Sequence, residues 1–195
     1  HEKSVRGCLK DCLAFWKEEL KAPPWIVDTI ENGYMLPFYN EPEPYTRPNQ
    51  KSALMEREFV NGAVADLLAG GYIEVAQEAP HVCSPLSVIT NQSGKKRLVV
   101  NLRHVNRSLW KQKFKYEDLR VVMMLFGPGE WMFSFDLKSG YHHIDVAQKH
   151  RKYLGFSWEG VLYRFVVLPF RLSSVSYVFT KMMCPLVRLW RRVLK

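Results

Sequence analysis

Apolar and polar positions along the chain follow two periods, and each switch between them marks an element. In residues 8–20 (CLKDCLAFWKEEL), Leu9, Cys12, Leu13, Trp16 and Leu20 recur at helical spacing and predict a helix. A second, short helix is predicted over 25–32, stopped by Gly33. Residues 37–50 hold Pro37, Pro42, Pro44 and Pro48, which break any period and predict an extended linker. That linker sets a boundary between a helical leader, 1–50, and a main unit, 51–195. Beyond it, Ser52 stands as a helix cap. Met55, Phe59, Ala63, Leu67 and Leu68 keep the helical period until Gly70-Gly71 ends it.

Strand periodicity then takes over. Leu86–Thr90 and Lys96–Arg103 flank the turn NQSG and predict a hairpin. In its second arm Leu98, Val100 and Leu102 share one face, while Arg97, Val99, Asn101 and Arg103 share the other. Residues 131–137 (WMFSFDL) alternate again. Tyr153–Trp158 and Val161–Val167 form a further predicted hairpin across Glu159-Gly160. From about Ser173 a helix carries Val175, Val178, Phe179, Met182, Leu186, Leu189 and Val193 along one stripe, with a kink expected at Pro185. Helix, hairpin, strand, hairpin, helix is the order of an α+β fold.

Composition adds little to this until charge is considered. With 195 residues and 47% hydrophobic content, the chain can bury a core. Its apolar runs, such as VVMMLF, are far too short for a membrane span, so no membrane partner is expected. The four cysteines are scattered, which argues against a disulfide framework and for a reducing, intracellular setting. The chain begins at His1 without a signal peptide and reads as a piece of something longer. The net charge is +9, unevenly spread. Residues 1–44 carry five basic and eight acidic side chains. Residues 91–116 carry Lys95, Lys96, Arg97, Arg103, Arg107, Lys111, Lys113 and Lys115 and no acid, and residues 181–195 are likewise acid-free. Trp110, Phe114, Tyr116 and Trp190 are interleaved with these runs. Either run alone reads as a solvated face. Two of them, mixed with aromatics, shift the reading towards nucleic acid.

The candidate chemistry lies in three stretches. In FSFDLKSGYHHI, Asp136 ends an apolar strand before a Lys-Ser-Gly turn. Such a carboxylate either caps the turn or holds a divalent cation at the lip of a sheet; taken alone, capping is the better reading. In SGKKRLVVNLRHVN, Arg97 projects from the polar face of the hairpin with Lys95 and Lys96 at its tip. It is either a basic surface hairpin or a cationic arm for a triphosphate. In FVVLPFRLSSVSYVFTKMM, a strand runs through a proline turn and two serines into a helix.

In order and spacing, these stretches, with YLGF between the last two, resemble a reverse transcriptase. LWKQKFKYEDL and SFDLKSGYHHIDV are similar in particular to the polymerases of DIRS-like retrotransposons, the tyrosine-recombinase retroelements. The resemblance covers roughly residues 52–195, and KAPPWIVDTIENGY resembles the leader found before such polymerases. It implies the fingers and partial palm of a right-hand polymerase. Asp136 then matches the first catalytic carboxylate and, with the carbonyl of Leu137, a magnesium site. Tyr141 matches the steric gate that excludes ribonucleotides, Phe170 the residue near the nucleotide sugar, and Arg97, with Lys95, the triphosphate contact. The implied activity is two-magnesium nucleotidyl transfer in the full-length protein, on an RNA template and DNA primer with deoxynucleoside triphosphates. A viral RNA polymerase shares this palm logic, but the bulky Tyr141 argues for deoxynucleotides.

Three departures from the family pattern stand out. The Tyr-x-Asp-Asp motif, which supplies the remaining metal ligands, is not reached by Lys195, and Asp145 reads as a surface residue rather than a substitute. One carboxylate holds Mg²⁺ weakly, so the isolated chain is expected to be inactive. Arg171 stands where the pattern LPFGLSS has glycine, with Val175 and Ser176 in place of Ala-Pro, and Asn101 stands where aspartate is usual. These changes suggest a decaying copy, with a tolerant lineage as the alternative, and the basic runs keep open a second reading, a non-catalytic basic nucleic-acid-binding remnant of a retroelement. His142 and His143 lack partners at zinc spacing and are expected to be structural; His104 and His150 read as surface residues.

Overall fold

A computed structural model describes residues 4–113, 120, 124, 129 and 136–193. The strand predicted over 131–137 lies outside the described residues except for Asp136 and Leu137. The architecture is α+β, as expected. Strands β1 (Tyr45–Thr46), β2 (Ile73–Val75), β3 (Val82–Cys83), β6 (Gly155–Trp158) and β7 (Val161–Phe165) form one sheet in the order β1-β3-β6-β7-β2. Strands β4 (Leu86–Thr90) and β5 (Lys96–Val100) form a separate two-stranded sheet. The joints β1–β3 and β3–β6 are parallel, while β6–β7 and β7–β2 are antiparallel.

The predicted hairpins form where the turn chemistry asks for them. Glu159 (φ 48°) and Gly160 (φ 79°) both take left-handed backbone, the requirement of a tight two-residue turn joining β6 to β7. β4 and β5 pair from Leu86↔Val100 to Thr90↔Lys96, and Leu86, Val88 and Val100 face the core. β5 is shorter than predicted, because the chain turns after Val100 into helix α5 (Arg103–Asn106).

The leader and the main unit share one apolar core. Trp16, Ile26, Ile30 and Tyr34 belong to the same buried cluster as Val60, Val82, Leu102, Phe156 and Val178. The helix predicted over 8–20 is realised as α1 (Cys8–Asp11) and a wider π-helical turn, Phe15–Glu19. Helix α2 (Pro24–Asn32) ends at Gly33, whose φ is 87°. A Cβ there would lie 2.6 Å from the Ala147 amide nitrogen, so Gly33 allows two backbones to touch. Beside it, the Tyr34 amide donates to the Asp145 carbonyl at 2.7 Å and the Ala147 amide donates to the Tyr34 carbonyl at 3.0 Å.

The proline-rich stretch is extended, as predicted, but it is not a free linker. Its backbone pairs with the main unit at several points. The Tyr39 amide donates to the Ser108 carbonyl at 3.0 Å, and the Trp110 amide donates to the Pro37 carbonyl at 2.9 Å. Tyr45 and Thr46 pair with Val82 and Cys83. Asn49 donates to the Ser157 carbonyl at 2.8 Å and accepts from the Leu86 amide at 2.9 Å, which ties the two sheets together.

The helix predicted from Ser52 to Gly70 is broken at Glu56 into α3 (Lys51–Met55) and α4 (Arg57–Ala69). Ser52 is not its cap; its hydroxyl accepts from the Val88 amide at 3.2 Å and fastens the hairpin to α3. Helix α6 (Val175–Val193) buries Val175, Val178 and Met182 along the predicted stripe, with Pro185 inside the helix. Val193, at the far end of the stripe, is exposed.

Candidate active-site cleft

Asp136 and Leu137 lead into a Lys-Ser-Gly turn and then a single 3₁₀ turn, Gly140–His143. Ser139 adopts left-handed backbone (φ 50°), and the His142 amide donates to its carbonyl at 2.8 Å. Asp136 does not cap this turn. Its carboxylate is exposed and has no hydrogen-bond or ion-pair partner among the described residues. Leu137 is also exposed.

The 3₁₀ turn sets Tyr141 into an aromatic corner. Its ring lies 5.1 Å from Phe170 and 5.4 Å, edge-on, from Phe179 of α6. Its hydroxyl is 3.4 Å from the Ser176 hydroxyl. Gly140 eases this approach, because a Cβ there would lie 3.0 Å from the Phe179 ring, a tight contact. His142 is buried between Tyr72 and Phe170, at ring separations of 4.4 and 5.4 Å. Burial, with a smaller push from His143, lowers its pKa to about 4, so the ring is neutral at pH 7. It forms part of the floor on which the exposed Phe170 ring rests.

Phe170 sits in a turn held by a side chain that sequence reasoning did not single out. Asn106 donates to the Arg171 carbonyl at 2.9 Å and accepts from the Ser173 amide at 2.9 Å. An asparagine among arginines on α5 carries no periodic or motif signal, so its reach across the fold is visible only in three dimensions. Arg171 has φ 72°, left-handed backbone that a glycine takes without strain. The arginine therefore stands at a position whose conformation suits the glycine of the resembled pattern.

Arg97 and Lys95 lie elsewhere, on the β4–β5 hairpin. Arg97 pairs opposite Ile89, and Lys95 closes the tip, where the Asn91 amide donates to its carbonyl at 3.0 Å. Both side chains are exposed and free of ion pairs among the described residues. Lys96 differs, since it pairs with Glu56 at 2.6 Å and braces the hairpin on the start of α4. Among the described residues no hydrogen bond, ion pair or ring contact joins Arg97 or Lys95 to the Asp136–Phe170 group. The structure thus brings Tyr141, on the turn that follows Asp136 and Leu137, against Phe170, on the turn that follows β7. The two cations sit on an arm of their own.

For a divalent metal the donors are right in kind and short in number. A free carboxylate and an adjacent backbone carbonyl are the hard oxygen donors that Mg²⁺ takes. Among the described residues no three His, Cys, Asp or Glu side chains gather into a metal site. Asp145, expected at the surface, is largely enclosed. Its side chain is 13% exposed and accepts from Arg6 through two contacts of 3.3 Å, with Arg151 4.0 Å away. Arg151 in turn lies 3.6 Å from Glu74, which binds Arg164 at 2.6 Å. Asp145 is thus committed to a cationic network that anchors the leader. His150 and His104 are not simple surface residues either. His150 Nδ1 accepts from the Leu36 amide at 2.9 Å, and His104 stacks on Tyr45 at 4.2 Å.

No protein-family model matches the sequence. The retrovirus-related Pol polyprotein of transposon gypsy from Drosophila melanogaster is 29% identical over 137 residues, 67% of this chain and 13% of that polyprotein. The corresponding polyprotein of transposon 412, from the same fly, is 29% identical over 160 residues, 80% of this chain and again 13% of the relative. The enzymatic polyprotein of cauliflower mosaic virus (strain Strasbourg) is 26% identical over 146 residues, 73% of this chain and 21% of the relative. The chain therefore spans a small part of the length of the curated relatives it matches. Among solved structures, native prototype foamy virus protease-reverse transcriptase superposes with a TM-score of 0.57 at 18% identity, covering 82% of this chain and 20% of that one. The foamy viral enzyme solved with double-stranded DNA gives 0.59 at 15% identity, covering 96% and 44%. The solved structures fix the fold, a partial fingers and palm, and the sequence relatives point the same way: the chain is similar to the reverse-transcriptase region of retrotransposon and retroviral Pol polyproteins.

Proposed function

We propose that this chain is the fingers and partial palm, 51–195, of a retrotransposon RNA-directed DNA polymerase, with residues 1–50 as a helical leader packed against it. The observation that carries the reading is that Tyr141, on the turn after an exposed, unpartnered Asp136, packs against Phe170 from the turn that follows β7. In this reading Asp136 and the Leu137 carbonyl contribute two of the oxygen ligands of a magnesium site. Magnesium bound there would lower the pKa of a primer hydroxyl and stabilise the departing pyrophosphate. The chain's own residues do the positioning. Tyr141, wedged by Phe179 and Ser176, presents a rigid ring where a ribose 2′-hydroxyl would have to fit. Phe170 supports that ring from the side, and the β4–β5 arm brings Arg97 and Lys95 to the triphosphate. The partners are an RNA template, a DNA primer and deoxynucleoside triphosphates. The foamy viral relative solved with double-stranded DNA supports nucleic acid as a partner. Assignment to the DIRS-like group rests on the wording of LWKQKFKYEDL and SFDLKSGYHHIDV.

Residues 1–195 alone are inferred to be inactive, because two oxygen donors do not hold Mg²⁺ in place. The test is primer extension with magnesium, comparing this chain with one continued through the downstream Tyr-x-Asp-Asp segment that the resemblance implies. The continued chain should extend an RNA-templated primer and lose at least about a thousandfold with Asp136→Asn. Tyr141→Ala should retain activity and admit ribonucleotides. A continued chain that is inactive, and stays so with Arg171→Gly, would leave the basic nucleic-acid-binding remnant as the reading.

A further inference from the structure

The leader docks along residues 145–150 through three hydrogen bonds, and the third differs in kind. The Tyr34 amide donates to the Asp145 carbonyl at 2.7 Å and the Ala147 amide donates to the Tyr34 carbonyl at 3.0 Å, a short parallel bridge opposite Val146. Continued by two residues, such a ladder would set a backbone carbonyl opposite the Leu36 amide. The chain instead turns into the 3₁₀ segment Gln148–Tyr153, and His150 Nδ1 accepts from that amide at 2.9 Å. A carbonyl accepts at any pH, whereas an imidazole nitrogen accepts only while it carries no proton. Leu36 is buried in the shared core, so its amide is costly to leave unpaired.

Two other histidines fasten the same proline-rich strap in the opposite sense. His81 Nε2 donates to the Pro42 carbonyl at 2.7 Å, and His104 Nε2 donates to the Glu43 carbonyl at 2.8 Å. Both bonds survive protonation, because the cation carries N–H on both ring nitrogens. Acid therefore breaks the attachment at Leu36 and spares those at Pro42 and Glu43.

The surroundings of His150 keep its ring neutral. Burial, then Lys149 and Lys152 on its own turn, hold its pKa below the ordinary histidine value. The rings of Phe38 and Tyr153 pack 5.5 and 5.8 Å from it. Glu41, the nearby carboxylate of the strap, is taken up by the Tyr153 hydroxyl and by Lys152 at 3.3 Å. His81, from the segment before β3, stands 5.3 Å from the Tyr153 ring. Arg151 is committed to the Val146 carbonyl, Glu74 and Asp145.

We propose that His150 is a proton-operated latch: neutral, it docks the leader through the Leu36 amide, and protonated, it frees the Leu36 end of the strap while the Pro42–Glu43 end stays fastened. When that end opens, His150 returns to its ordinary pKa near 6.5. The opened form then binds the proton more readily than the docked one. Docking is complete above about pH 6.5 and weakens as the pH falls below it, by no more than about tenfold per pH unit. The latch stands apart from the polymerase reading.

The experiment follows amide hydrogen exchange of the 195-residue chain by NMR from about pH 7.5 to about pH 5.5, with each rate corrected for its intrinsic pH dependence. The Tyr45 amide, which donates to the His81 carbonyl at 3.1 Å, is the internal reference, because global unfolding moves it and Leu36 alike. Protection of Leu36 relative to Tyr45 should fall severalfold on acidification. In His150→Asn, whose side-chain oxygen keeps an acceptor near the Nδ1 position and does not titrate, the ratio should stay flat. The wild-type ring gives a second measurement that needs no variant: its ¹⁵N shifts should show Nδ1 bare at the upper pH and protonated in step with the loss at Leu36. A flat ratio in the wild-type chain, an equal acid loss in His150→Asn, or a ring that titrates out of step with Leu36 overturns the proposal.

Discussion

Replacing Arg171 by glycine should make this protein more stable, although it deletes a whole side chain. Arg171 holds φ 72°, and its carbonyl accepts from Asn106 at 2.9 Å, so the turn cannot relax without losing that bond. Left-handed backbone costs a residue with a Cβ about 1–2 kcal/mol. Glycine removes that cost but adds freedom to the unfolded chain, worth roughly 0.4–1 kcal/mol in the opposite direction. The arginine side chain is exposed and forms no ion pair among the described residues, so nothing else is lost. The net gain is about 0.5–1 kcal/mol, which for a chain of this size raises Tm by about 1–4 °C. Arg171→Ala is the control, because it removes the same side chain and keeps the strained backbone. Differential scanning calorimetry should rank the glycine variant above wild type, and the alanine variant level with wild type. An alanine variant as stable as the glycine variant would show that the side chain, not the backbone, is the source of the effect, and would refute the reasoning.

Gly33→Ala forces a Cβ to 2.6 Å from the Ala147 nitrogen at a left-handed φ, and should cost about 2–4 kcal/mol in urea unfolding. Asn106→Ala removes both bonds that hold the Phe170 turn and should cost about 1–3 kcal/mol, read from the same titration. His142 is neutral when folded, with a pKa of about 4, and ordinary near 6.5 when unfolded. Between those values the unfolded chain binds the extra proton, so stability is complete above about pH 6.5 and falls as the pH drops towards 4. His142→Gln should flatten that part of the stability–pH curve by an amount on the order of 2 kcal/mol, and an unchanged curve would show that His142 does not carry it.

Long, strongly patterned elements were legible in the amino-acid order. The β4–β5 and β6–β7 hairpins, α2 and α6 all follow from period and turn chemistry, and the Glu159-Gly160 turn falls where it was expected. The shortest strands left no trace. β1 and β3 have two residues each, too few for any alternation to show, and they exist because neighbouring backbone supplies their partners. The break between α3 and α4 escaped for another reason, since the apolar period runs unbroken through Glu56 while the backbone turns there. At the site, the Tyr141–Phe170 approach is compatible with the motif reading. Asn106, Asp145 and His150 were hidden because their partners lie far away in sequence, at separations of 65, 139 and 114 residues. A polar side chain bound at such a distance looks, one residue at a time, like any solvated one.

The weave of the leader into the main unit has a practical corollary. Tyr34 clasps Asp145 and Ala147, Arg6 clasps Asp145, and Asn49 clasps Ser157 and Leu86. A protease nick among the prolines near residue 42 would therefore release nothing. The two fragments should stay bound as a complementing pair, and an expression boundary drawn at residue 51 would strip the cover from Tyr153, Val146 and Leu109 and yield a protein that clumps.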